Sequence, residues 1–142
     1  MNYFDMKLLA TSKNEAFARN AVASFAIECS PTLEEINDIK TAVSEAVTNV
    51  VVHAYDEKDT GVVQIECSIP DDKKSIEIVV RDFGKGIKDV KEAVEPFFTT
   101  AQDDERSGMG FTIIDTFMDE MDVTSVVGDG RVVKMKKVMK GC

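Results

Sequence analysis

Ile76-Glu77-Ile78-Val79-Val80-Arg81-Asp82-Phe83-Gly84-Lys85-Gly86 is the stretch on which the fold reading turns. Ile76, Ile78 and Val80 fall on one side of an alternating run, the pattern of a half-buried strand. Asp82 closes that strand, and Gly84 and Gly86 follow at once. Just upstream, Val63, Ile65, Cys67 and Ile69 alternate in the same way, and Pro70-Asp71-Asp72-Lys73-Lys74 joins the two runs as a hairpin. At the end of the chain, residues 122–127, the Gly128-Asp129-Gly130 turn and residues 131–139 predict a second hairpin. A first strand is expected over residues 3–10, with Phe4, Met6 and Leu8 on one side.

Helical patterns fill the intervals. Ser12-Lys13-Asn14-Glu15 has capping-box form and predicts a helix to about residue 28, with Phe17, Ala21 and Phe25 as its inward stripe. Thr32-Leu33-Glu34-Glu35 is a second capping box. It opens a helix that reaches residue 54 on the apolar row Leu33, Ile36, Ile39, Val43, Ala46/Val47 and Val50. Lys88 to Glu95 reads as a short helix stopped by Pro96, and residues 97–106 as a mobile loop. A last helix over residues 108–120 is expected to turn Ile113, Ile114, Phe117 and Met121 inward. Strands linked by short turns and three amphipathic helices imply an α+β, two-layer α/β sandwich: a mostly antiparallel sheet covered on one face by helices.

The 142 residues fit one domain, residues 1–142. A net charge of −9 with a pI near 4.6 argues against direct nucleic-acid binding and leaves room for a basic protein partner. The basic cluster from Lys134 to Lys140 reads as the wet face of a strand. Cys29, Cys67 and Cys142 are odd in number and lack metal-ligand spacing, which fits a reduced, cytoplasmic setting. No membrane segment or signal peptide is expected.

Glu45 and Asn49 lie four residues apart, so they project from one side of the long helix, on a row set away from the apolar stripe and continued by His53. An Asn carbonyl suits Mg²⁺, which takes its remaining ligands from water and phosphate oxygens. A neighbouring Glu can accept a proton from an attacking hydroxyl. Asp82 can accept from the exocyclic amine of adenine while Gly84 and Gly86 let backbone approach the base. Ser107-Gly108-Met109-Gly110 stands at a helix start, where free amides and the helix dipole favour phosphate. The segment before it, with Thr99, Thr100 and Arg106, could close over phosphates. Taken singly, these motifs also read as a solvated helix face, a plain turn and an N-cap. The third glycine of a dinucleotide fingerprint is replaced by Asp89, and no Gly-x-x-x-x-Gly-Lys occurs, so Rossmann and P-loop readings fail. Their combination describes one site for ATP or ADP.

In order and spacing these segments resemble the GHKL ATPase/kinase superfamily. Glu45-Ala46-Val47-Thr48-Asn49 is similar to its N box, Asp82-Phe83-Gly84-Lys85-Gly86 to its first glycine box, and Ser107-Gly108-Met109-Gly110 to its second. More narrowly, residues 41–49, Pro96-Phe97-Phe98-Thr99-Thr100 and residues 105–113 resemble the anti-sigma-F factor family, serine-protein kinases of spore-forming bacteria. The resemblance implies the Bergerat ATP-binding fold and a homodimer that holds a sporulation sigma factor inactive. It also implies phosphorylation of a serine on an anti-anti-sigma antagonist. By motif position Glu45 is the base, Asn49 the Mg²⁺ ligand and Asp82 the adenine contact. Gly84, Gly86, Thr99, Thr100, Arg106, Ser107, Gly108, Met109 and Gly110 line the nucleotide, and an exposed Arg19 together with Thr48 meets partners. Related readings are a stress-response anti-sigma kinase, or a nucleotide-dependent binding module without kinase activity. Two departures stand out. The superfamily often supports its adenine-binding acid with a late-strand Thr, where this chain has Gly130-Arg131-Val132-Val133. Ala54 stands where relatives often have glycine before the tyrosine, which stiffens the exit of the N-box helix.

Overall fold

A computed structural model describes residues 1–57, 60–84 and 111–140 of the chain. It enters as β1 (Asn2–Leu9), followed by α1 (Lys13–Ala26), a 3₁₀ turn (Ile27–Cys29), α2 (Leu33–Asn49) and a π turn (Val50–Ala54). β2 (Val62–Ile69) and β3 (Ser75–Asp82) form the expected hairpin; α3 (Phe111–Phe117), β4 (Glu120–Val126) and β5 (Gly130–Val138) complete the described chain. The five strands lie in the order β1-β2-β3-β5-β4, each pair antiparallel. Gly128 and Gly130 turn the last hairpin at φ 88° and 97°, the left-handed region that a side chain resists.

One face of the sheet is dry. Val63, Ile65, Cys67 and Ile69 of β2, Ile76, Ile78 and Val80 of β3, and Val133 and Met135 of β5 are buried beneath the helices. Burying each such branched side chain contributes about 1.5–3 kcal/mol, which locks the register that alternation demands. Burial also pushes the Cys67 thiol up to about 12, so it is packing material and not a nucleophile at neutral pH.

The second capping box forms as written. Thr32 Oγ1 accepts from Glu35 N (3.1 Å), and Thr32 N donates to Glu35 Oε1 (2.8 Å). The first does not. Ser12 is itself in the helical region (φ −58°, ψ −26°) and makes no side-chain cap, because a cap needs an extended residue. Glu15 points instead to Arg19 and to Ser44 of α2.

The inward stripe of α1 is Ala18, Val22, Ala23 and Ala26, one position on from the expected row; Phe17 is 56% exposed. Small residues let α1 lie close on α2, and that contact fixes the rotation of the helix. Phe25 is half-buried, edge-on to Phe4 at 4.8 Å between ring centroids. Leu33 lies at the solvated start of α2, 78% exposed. In α3 the buried residues are Phe111 and Ile114, with Met118 just beyond. Ile113 faces out, and Met121 belongs to β4. The basic run is not wholly wet either. Lys137 shares the inward parity of β5, and its Nζ donates to Asp38 Oδ2 (3.0 Å) and to the Phe117 carbonyl (2.7 Å). The expected helix over residues 88–95 and the loop over 97–106 lie outside the described residues.

Candidate nucleotide site

α2 carries Glu45 and Asn49 one turn apart, but in different surroundings. Glu45 is half-buried and lines a cleft of about 300 Å³ between α1 and α2, shared with Arg19, Asn37, Lys40, Thr41 and Ser44. Asn49 is 3% exposed, and its Nδ2 has no hydrogen-bond partner. The expected row away from the apolar stripe therefore holds for Glu45 and fails for Asn49. The last residue of α2 is buried, and the π turn then widens the helix at once. An unpartnered buried amide nitrogen costs about 1–3 kcal/mol and offers a donor to an acceptor such as a phosphate oxygen, while Oδ1 is the carboxamide atom able to meet a cation. His53 sits half-buried in the π turn.

The chain leaves the π turn through Tyr55. Its hydroxyl donates to the Val62 carbonyl (2.6 Å) at the start of β2 and accepts from Phe83 N (2.9 Å) just past the end of β3. Gly84 completes this junction. A Cβ there would lie 2.0 Å from the Ala54 carbonyl oxygen, so only glycine lets the two exits touch. Ala54 is thus buried against the glycine segment. The N-box helix and the Asp82 turn are held together as one corner.

Within that corner Asp82 is fully enclosed. Its Oδ1 accepts from Gly84 N (3.0 Å) and its Oδ2 from Arg131 Nε (2.7 Å). The side chains of the pair are 0% and 3% exposed. Asp82 and Arg131 are direct cross-strand partners in the β3–β5 ladder. Burial lowers the arginine's pKa while the charge and hydrogen bond of Asp82 raise it, and a guanidinium stays charged through both. Removing one member of such a pair costs about 3–5 kcal/mol. The Arg131 guanidinium carbon also lies 5.8 Å from the centroid of Phe111, the buried first residue of α3, within cation–π range.

Of the residues read from sequence, Asp82 and Gly84 meet the exit of the helix that carries Asn49, while Glu45 stands one turn further back in the α1–α2 cleft. Gly86, Thr99, Thr100, Arg106, Ser107, Gly108, Met109 and Gly110 lie outside the described residues. Arg19 is half-buried, not exposed: its guanidinium bonds Glu15 Oε2 at 2.5 Å, and that oxygen also accepts from Ser44 Oγ at 2.8 Å. Thr48 is exposed on α2. Sequence reasoning missed Arg131 and Tyr55 as site residues. Arg131 had a signal: it shares the inward parity of Val133 and Met135, and a buried cation needs an acid opposite.

Among the described residues no three His, Cys, Asp or Glu side chains cluster as a metal site. Asn49 alone would be one ligand among water and phosphate oxygens. That donor set fits Mg²⁺ arriving with a nucleotide, not a resident ion.

Residues 8–137 match the histidine kinase-like ATPase domain. The chain is 53% identical over 136 residues to the anti-sigma F factor of Caldanaerobacter subterraneus subsp. tengcongensis, covering 96% of this chain and 93% of that protein. It belongs to the anti-sigma F factor family. The family member of Clostridium novyi is 51% identical over 139 residues, covering 98% of this chain and 96% of that one. In fold, the RsbU and RsbW domains of Rv1364c from Mycobacterium tuberculosis match 98% of this chain and 32% of theirs, with a TM-score of 0.69 and 16% identity. The catalytic domain of histidine kinase ThkA matches 100% of both chains, with a TM-score of 0.59 and 13% identity. The antiparallel sheet and the three α-helices among the described residues are therefore the GHKL fold in this family. No helix among the described residues is long and apolar enough to cross a membrane.

Proposed function

We propose that the chain is an anti-sigma factor and ATP-dependent serine-protein kinase. It sequesters a sporulation sigma factor and phosphorylates a serine of the anti-anti-sigma antagonist. The reading rests most on the match of residues 8–137 to the histidine kinase-like ATPase domain, with Glu45 and Asn49 one helical turn apart on α2.

In this reading Asp82 receives the adenine amine, and Gly84, Gly86, Thr99, Thr100, Arg106, Ser107, Gly108, Met109 and Gly110 surround the rest of ATP or ADP. Asn49 would hold Mg²⁺, which when bound neutralises phosphate charge. Glu45 takes the proton of the incoming serine hydroxyl as that oxygen bonds to the γ-phosphorus. The bond from phosphorus to the bridging oxygen breaks, leaving ADP and a phosphoserine. The cleft that Glu45 shares with Arg19 gives the protein substrate an approach to the base from the α1–α2 side. Arg19 and Thr48 meet partners there, Arg19 pre-set by Glu15. A homodimer in the cytoplasm completes the proposal.

The test is phosphoryl transfer from labelled ATP with Mg²⁺ to a small antagonist protein, repeated with Glu45→Gln. Loss of a positioned base should slow transfer by about 10²–10⁴-fold with ATP affinity almost unchanged. Unchanged transfer in the variant removes Glu45 from this role. Free phosphate without labelled protein points to an ATPase instead.

A further inference from the structure

Arg131 occupies the late-strand position from which a threonine often supports the adenine-binding acid. We infer that the contact has been replaced and not lost: Arg131 is a positioning residue that aims the Asp82 carboxylate at the exocyclic amine of adenine. The inference rests on the nucleotide reading above and adds a specificity role for a residue which that reading leaves unused.

The geometry carries it. The Asp82 side chain is 0% exposed, so its orientation is set by the donors that reach it. Gly84 N holds Oδ1 at 3.0 Å and Arg131 Nε holds Oδ2 at 2.7 Å, which fixes the plane of the carboxylate. Each oxygen has a second lone pair, so both bonds leave the acid able to accept from a base. Arg131 is itself held from two directions, by its cross-strand place opposite Asp82 and by the Phe111 ring. An arginine with Nε on one carboxylate oxygen, buried on a sheet strand, has little freedom to swing away. Stripped of this donor, a buried carboxylate turns to another partner, and the aimed acceptor is lost.

The donor matters here more than the charge, since the Nε–H···Oδ2 hydrogen bond has a direction that fixes the carboxylate plane and a point charge does not. Glutamine provides the control. Its Nε2 stands the same number of bonds from the backbone as the arginine Nε, and it donates without a positive charge.

The test compares affinity for ATP with affinity for purine riboside triphosphate, which lacks the amine, by titration calorimetry. A hydrogen bond to a charged acceptor predicts that the unaltered protein prefers ATP by about tenfold or more. Arg131→Met should bring that ratio to within about twofold of unity, whereas Arg131→Gln should keep most of it. General damage to the site would weaken both ligands alike and leave the ratio standing. An unchanged ratio in Arg131→Met, or an equal collapse in both variants, overturns the positioning role. If Arg131→Met does not fold, Asp82→Asn and Asp82→Asn/Arg131→Met are compared, since the doubly altered chain buries no lone charge. With Asp82 neutralised, the second substitution should leave the ratio unchanged; a further drop shows that Arg131 acts without Asp82 and also overturns the role. Failure of the unaltered protein to bind ATP at all defeats the nucleotide reading itself. Binding with preference, but no response to Arg131, defeats this inference alone.

Discussion

Asn49→Leu should stabilise the nucleotide-free protein while abolishing its response to Mg²⁺ and ATP. The sign is unusual, because a polar-to-apolar change in a helix next to a functional site commonly does harm. Here the buried Nδ2 has no partner, and an unpaired buried amide costs about 1–3 kcal/mol. Leucine repeats the branched skeleton of asparagine atom for atom, but its methyl groups are bulkier, so overpacking takes back part of the gain; helix propensity improves by a few tenths of a kcal/mol at the last position of α2. A net gain of up to about 2 kcal/mol corresponds to a rise in melting temperature of up to roughly 7 °C for a chain of this size. Differential scanning calorimetry without ligand gives the first number. The same scan with saturating Mg²⁺ and ATP gives the second: ligand at a hundred times its Kd stabilises the unaltered protein by about 2.7 kcal/mol, and Asn49→Leu should gain none of this. A ligand-free melt below that of the unaltered protein would refute the argument, because it would mean that the carboxamide is already satisfied without nucleotide.

Gly84→Ala tests the corner from the other side. The added Cβ, 2.0 Å from the Ala54 oxygen, must push the two exits apart by more than 1 Å and break the Phe83–Tyr55 bond. A loss of about 2–4 kcal/mol, or roughly 5–15 °C, is expected, and a melt within experimental error of the unaltered protein would show that the junction yields. Glu35→Gln probes the start of α2. Burial alone would push this carboxyl up, but hydrogen bonds from Thr32 and Lys140 and the charge of Lys137 outweigh it and hold the pKa below the ordinary 4.5. With the folded value depressed, its stabilisation is complete above pH 4.5 and fades as pH falls through the folded pKa. Glutamine turns an amide donor against one of the two N–H groups that Glu35 now accepts, at a cost of about 2–3 kcal/mol near pH 7. Urea melts should show the gap between the two proteins narrowing in acid; a gap of constant size would remove the ionised carboxylate from the explanation.

The strands were legible because burial follows period two without exception across β2 and β3, and the Gly128-Asp129-Gly130 turn leaves one way to close the second hairpin. The sandwich followed from that pattern. Helix rotation was harder. Phe17 and Phe25 outweigh alanine on any hydropathy scale, yet α1 meets α2 through Ala18, Val22, Ala23 and Ala26, because close approach of two helices rewards small side chains. The burial of Asn49 was hidden for the opposite reason: a polar residue on a polar row gives no sign that the helix end is closed off from solvent. Glu45, Asn49, Asp82 and Gly84 could be named from spacing, but Arg131 required knowing that β5 pairs with β3 and not only with β4. That order is set by long-range packing. Lys137 was misplaced for the same reason, since its acceptors come from α2 and α3.

The Tyr55 phenol has a consequence for how such a site can change over time. One oxygen ties the exit of the helix bearing Asn49 to the start of β2 and to the turn after the strand bearing Asp82, so the gap between that helix and that strand is gauged in part by a single side chain. Insertions in the turn after Tyr55, or in the hairpin between β2 and β3, can lengthen those loops without moving the two groups relative to each other. Loop length is then free to vary with the partner being bound, while the spacing that a nucleotide measures stays fixed.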